Sequence, residues 1–210
     1  MTRNEKEMMS SIFAKIAELD YIKPDEIPNI DLYMDQVTTF MEENLASTKR
    51  HEDDKILTKT MINTYAKNKL FPPPEKKRYS REHLLMLIFI YYFKNILSIS
   101  DIQRILNTIT DKYFGTDKES SVGMTDIYSE VFSLESEETK NLLKDLARKY
   151  SISQKTFLDC EDLSEKDREF LQTFAFICEL RFDVYIKKTL IEKIIDSLPQ
   201  EDKKESKKDA

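Results

Sequence analysis

TKTMINTYAKNKLFPPPEKKRYSREHLLMLIFIYYFKNILSISDIQRIL, residues 58–106, decides how the rest of the chain is read. Thr58 stands where a helix N-cap belongs, its hydroxyl placed to accept from an amide of the next turn. The helix after it turns Met61, Ile62, Tyr65 and Leu70 inward. Lys59, Thr60, Asn63, Thr64 and Lys67 face outward, and none of these is acidic. Pro72, Pro73 and Pro74 then forbid continuation, since they supply no amide donors and fix φ. Residues 75–79 return as a small hairpin or an extended wing. Ser80 caps a helix that is apolar on nearly every side through LLMLIFIYYF, which requires burial from several directions. Ser100 and Gln103 have capping-box spacing and start a helix whose inner stripe is Ile102, Ile105, Leu106 and Ile109.

Outward from this centre the chain is read as helices joined by polar connectors. Residues 5–19 place Met8, Met9, Ile12, Phe13, Ile16 and Leu19 on one helical face. Pro24 and Pro28 break the chain, and a helix over 30–45 buries Ile30, Tyr33, Met34, Val37, Phe40, Met41 and Leu45. Residues 46–55 are polar and aperiodic, as a loop would be. Both glycines, Gly115 and Gly123, fall in a polar run over 110–124, the best candidate for an internal boundary. Residues 136–150 form a modest helix with Leu142, Leu143 and Leu146 buried. Ser164 caps a last element that runs to about Leu198, carrying Phe170, Phe174, Ile177, Val184, Ile191, Ile194 and Ile195. At 1.5 Å per residue it spans on the order of 50 Å, more than a small domain can cover alone, which points to self-association, with packing back across the whole chain as the alternative. Residues 199–210 are almost wholly polar and predict a disordered tail. The fold class is all-α, and the divisions are an N-terminal helix over 1–20, a central helical unit over 27–110, a connector over 111–165, the long helix over 166–198 and the tail.

Charge is polarised. Residues 55–81 hold eight basic side chains against the single acid Glu75, a local +7 in a chain of net charge −6. Such an asymmetry orients a protein on a polyanion even when the total is negative. The two histidines, His51 and His83, have no nucleophile or carboxylate at triad or metal spacing, and the isolated glycines build no phosphate loop. Cys160 and Cys178 lack CxxC spacing and read as reduced core thiols. Catalysis, metal and cofactor are therefore not expected. MTRNEKEMMSS lacks the apolar run of a secretory signal, and the longest apolar run, residues 84–93, is half of the ~20 residues that span a bilayer. A soluble, cytoplasmic protein is expected.

The order of residues over 58–106 resembles the helix-turn-helix regulators named after the mercury-resistance repressor, the MerR family. Thr58 stands for that family's Ser, Ile62 for its Leu, and Tyr65 for its second aromatic. Leu70-Phe71-Pro72-Pro73 follows the post-helix turn, Arg78-Tyr79-Ser80 the end of the wing, and Leu97-Ser98-Ile99-Ser100-Asp101-Ile102 the later turn. Asn63 replaces the usual Arg and Lys69 the usual Gly. The resemblance implies a MerR-like helix-turn-helix with a minimal wing, and a regulator that reads double-stranded DNA as a homodimer; it names no effector. On the residues themselves, Lys59, Lys67, Lys76, Lys77, Arg78 and Arg81 are suited to phosphates, with Thr58 at the start of the helix. Tyr79 is placed to donate to phosphate, and Tyr65 either joins it or packs inside. Asn63 suits a bidentate contact with adenine, with Thr60 and Thr64 beside it for thymine methyls. The competing reading is an interaction scaffold that keeps a vestigial helix-turn-helix and works through the long helix.

Overall fold

A helix with no polar side needs neighbours all round, and the chain supplies them to residues 84–93. In a computed structural model describing residues 3–18, 21–115 and 122–199, the protein is all-α, with a long C-terminal helix. In chain order the elements are α1 (Arg3–Ala17), β1 (Leu32–Tyr33), α2 (Met34–Leu45), α3 (Lys59–Lys67), β2 (Arg78–Tyr79), α4 (Arg81–Phe93), α5 (Ile99–Tyr113), α6 (Met124–Ser153) and α7 (Glu165–Ser197). Every side chain over residues 83–91 of α4 is buried. Val37, Met41 and Leu45 of α2, Ile62 and Tyr65 of α3, and Ile102 and Leu106 of α5 close over it. At roughly 1.5–3 kcal/mol per fully buried aliphatic or aromatic side chain, this central helix is the main source of stability. The core reaches back to Ile22 and forward to Met124 and Tyr128 of α6, past the 27–110 bounds read from the sequence.

Several expectations are corrected. The helix expected from residue 30 begins at Met34, because residues 32–33 pair instead with residues 78–79, Leu32 opposite Tyr79 and Tyr33 opposite Arg78. The strand alternation buries Leu32 and leaves Tyr33 exposed, and Ile30, in the bend before the strand, is exposed too, although Ile30 and Tyr33 were both placed in the stripe. The cap of α5 is Ser98, two residues before the expected Ser100: its Oγ accepts from the Asp101 amide at 3.2 Å, and Asp101 Oδ2 accepts from the Ser98 amide at 3.3 Å. α5 runs on to Tyr113 and α6 starts at Met124, so the 110–124 connector is shorter than read; residues 116–121 lie outside the described residues. α6 is one helix of 30 residues, where a modest helix over 136–150 was expected. Cys160 and Cys178 are exposed free thiols and not core residues, because Cys160 sits in the α6–α7 loop and Cys178 on the solvent side of α7.

α7, at 33 residues, matches its expected limits, and the Ser164 Oγ accepts from the Asp167 amide at 3.1 Å. It lies back along α6, where Lys149 is held between Asp145 and Asp183. Near its end it meets α5, where Arg104 donates to the Asp196 and Leu198 carbonyls. Between those anchors its apolar side chains are uncovered: Phe170, Phe174, Ile177, Val184 and Ile194 are each more than half exposed. On α1, Met8 and Ile12 are exposed, and Leu19 lies outside the described residues, as does the tail over 200–210. Among the described residues no helix is long and apolar enough to cross a membrane.

Candidate nucleic-acid interface

α3 is fixed at both ends and along one side. The Thr58 hydroxyl accepts from the Met61 amide at 3.2 Å, so this predicted contact residue commits its oxygen to the cap. Ile62 and Tyr65 are buried, which places Tyr65 in the core and away from any phosphate. The opposite side is open: Lys59, Thr60, Asn63, Thr64 and Lys67 are all exposed. Thr64 donates back to the Thr60 carbonyl at 2.8 Å, while Asn63 has no bond competing for its amide among the described residues.

The C-terminal end of α3 closes in a Schellman turn. The Leu70 amide bonds the Tyr65 carbonyl at 3.1 Å and the Lys69 amide bonds the Ala66 carbonyl at 3.0 Å. That turn puts Lys69 at φ 56°, the left-handed region where glycine is the cheap residue. Sequence reasoning passed Lys69 over as a site residue; its replacement of the usual Gly was the available signal.

The segment after the prolines is the expected tight reversal. Glu75 and Arg78 form a bridge, the Arg78 amide donating to the Glu75 carbonyl at 2.8 Å. Lys76 at φ 48° and Lys77 at φ 66° occupy both central positions, the left-handed pair of a type I′ turn that Asn-Gly would fill with least strain. The strand that leaves it, β2, pairs with β1, so the wing is stitched to the segment ahead of α2. That pairing also brings two acids to the edge: Asp35 pairs with Lys59 and Asp31 approaches Arg78 at 3.9 Å. Asp31 and Asp35, outside the 55–81 window, were missed because only tertiary structure brings them there. They place the start of α3 and the wing on either side of one short segment. Lys67, Lys69, Lys76 and Lys77 carry no ion pair among the described residues.

Two predicted contacts are withdrawn from this edge. Tyr79 is 3 % exposed and packs edge-on to the His83 ring at 5.7 Å, because its strand register points it at the core. The Arg81 guanidinium donates to the Pro24 carbonyl at 2.6 Å and to the Ile27 carbonyl, pinning the segment before β1 onto α4. Its charge serves the fold.

His83 explains that local packing. Its Nδ1 accepts from the Ser80 amide at 3.1 Å, and its ring is enclosed by Phe71, Tyr79 and Phe114. Burial holds its pKa below the ordinary value, which favours the neutral imidazole in the folded state, and its Nε2 is buried without a hydrogen-bond partner among the described residues. The Ser80 hydroxyl lies 2.8 Å from the same Nδ1, so Ser80 and His83 together close the start of α4.

Residues 22–131, just over half of the chain, match a family model described as Domain of unknown function (DUF1836). The chain belongs to that family. No curated protein and no solved structure matches it. The DUF1836 match opens at Ile22, which is 2 % exposed, and closes at Val131, which packs against the core, so it spans the α2–α5 unit together with the first turns of α6. The basic edge lies inside it, whereas α7 lies beyond it.

Proposed function

We propose that the DUF1836 unit of this chain is a sequence-specific, double-stranded DNA-binding module of a cytoplasmic transcription regulator. In this reading α3 enters the major groove, and Lys67, Lys69, Lys76 and Lys77 neutralise phosphates, with Lys59 and Arg78 released from Asp35 and Asp31. Asn63 contacts adenine, and Thr60 and Thr64 present methyls to thymine. One observation carries the reading. Three lysines, at positions 69, 76 and 77, hold left-handed backbone where a non-glycine residue costs about 1–2 kcal/mol each. A surface chosen for stability alone would use Gly or Asn there, and strain of this kind gathers at functional sites. An acid-free outer face on α3 supports the same reading.

The regulator is further proposed to act as a homodimer through α7. Phe170, Phe174, Phe182 and Tyr185 are 68, 54, 55 and 58 % exposed. Taken at about 200 Å² each they leave roughly 450 Å² of aromatic surface, already the size of the largest patch on an ordinary monomer. Six exposed aliphatic side chains on the same helix add to it. That same face, with the two acids at the basic edge, favours the second reading, a protein-interaction scaffold that does not touch DNA.

Fluorescence anisotropy with mixed genomic duplexes over a salt series separates the two. Binding whose log–log salt slope falls by about 2 in Lys76→Gln/Lys77→Gln, with Asn63→Ala changing the preferred sequence, is the expected result. Absence of binding at low salt would leave the scaffold.

A further inference from the structure

A second feature of the DUF1836 unit lies away from the basic edge, between α4, α5 and α6. Tyr21, Phe89, Tyr92, Phe93 and Tyr128 surround a cavity of about 130 Å³, with an aliphatic floor from α5 and α6 and the Glu135 carboxyl at its margin. The rings meet at angles and so form walls: Tyr21 and Tyr92 are 4.5 Å apart and inclined at 53°, Phe89 and Tyr128 are 5.5 Å apart at 66°. Glu135 is the one charged residue of the lining. Its carboxylate has no hydrogen bond or ion pair among the described residues. The Tyr92 hydroxyl is likewise buried without a partner, while the Tyr128 hydroxyl donates to the Ile22 carbonyl.

These groups share one electrostatic sense. Aromatic faces are negative, a carboxylate is negative, and no cation lines the cavity to answer them. Burial raises the carboxyl pKa of Glu135, and it raises the hydroxyls of Tyr21 and Tyr92, with the nearby Glu135 charge adding to both. A neutral apolar ligand would fill the space and leave the carboxylate unanswered. A hydrated metal ion would meet walls that offer it almost no oxygen. A methylated ammonium answers both: its methyl groups pack on ring faces and its charge faces the carboxylate. The volume sets the size, being slightly below the ~150 Å³ of a cavity that accepts benzene.

We propose that this aromatic cage is a binding site for a small alkylammonium cation of tetramethylammonium size, with Glu135 as its counter-ion and the Tyr21, Tyr92 and Phe89 rings as its walls. The site is independent of the DNA-binding reading, and its test contains no nucleic acid. The full chain is titrated with tetramethylammonium chloride at constant total chloride, and separately with tert-butanol, a neutral molecule of the same shape, while the tyrosine ring signals are followed by NMR. Saturable shifts at Tyr21, Tyr92 and Tyr128 are expected with the cation, at least about 10-fold tighter than with the alcohol. Glu135→Gln should abolish that preference. Tyr92→Phe keeps the ring face and should hold cation affinity within about 3-fold. Equal affinity for the two probes, unchanged cation affinity in Glu135→Gln, or no saturable shift from either probe overturns the assignment. If Glu135→Gln fails to fold, the comparison of the two probes on the parent chain still decides.

Discussion

Two helices of this chain carry large apolar side chains in number, α4 on nearly every side and α7 interleaved with charged residues, and they meet opposite fates. Residues 83–91 of α4 are buried without exception, under α2, α3, α5 and the start of α6. Between residues 182 and 194 of α7, Phe182, Val184, Tyr185, Ile186, Leu190, Ile191 and Ile194 are all exposed. The difference is one of neighbours. α4 lies in the middle of a segment whose flanking helices fold back within a few residues. α7 comes last and finds α6 on one side and α5 at its tip. Local pattern thus states how much cover a helix requires, and the rest of the chain states whether it is supplied from within.

That contrast is open to direct attack, beginning where the effect is greatest. Leu87→Ala removes a fully buried side chain from α4 and should lower the unfolding free energy by about 2–5 kcal/mol in urea denaturation. A loss below 1 kcal/mol would mean that α4 is not the packed centre. Lys69→Gly should act in the other direction, raising stability by about 1 kcal/mol through relief of the left-handed backbone. The same variant should weaken DNA binding if the lysine is kept for its charge. Thr58→Ala deletes the cap of α3 and should cost about 1 kcal/mol by thermal unfolding, sharpening the claim that α3 is held by its ends as well as its core.

A smaller effect tests His83. Because burial lowers its folded pKa, the unfolded chain takes up the proton first as pH falls through about 6.5. The contribution of the neutral ring is fully present above that pH and declines below it. His83→Gln retains an acceptor for the Ser80 amide, so the fall in Tm between pH 7 and pH 5 should be shallower than in the parent. An equally steep fall would assign the acid sensitivity elsewhere. The smallest change is expected on α7: Phe174→Ala, at a position 54 % exposed, should alter dilute-solution stability by less than about 0.5 kcal/mol. If a second copy covers the helix, the same substitution lowers the mass seen by light scattering at high protein concentration. No change in mass would break the dimer reading and leave α7 for a different partner.

Much of this was legible in the residues, for local reasons. Three prolines end a helix wherever they stand, Thr58 and Ser164 cap because their hydroxyls reach the amide three residues on, and an all-apolar decapeptide such as residues 84–93 has nowhere to go but inside. The long last helix and the all-α class follow from the same periodicity. Three-dimensional placement decided the rest. Strand register, set by pairing residues 32–33 with 78–79, turned Tyr79 inward and exposed Tyr33. The fold-back of the 24–27 segment took Arg81 out of the basic edge. The same pairing carried Asp31 and Asp35 into an edge that a count along the chain had shown free of all acids but Glu75. The aromatic cage draws on residues from Tyr21 to Glu135, more than a hundred positions apart, and no spacing rule joins them. Capping, helix breaking and periodicity act over a few residues and can be read in order; register, charge partnership and cavity walls depend on which distant residues share a surface, and packing alone settles that.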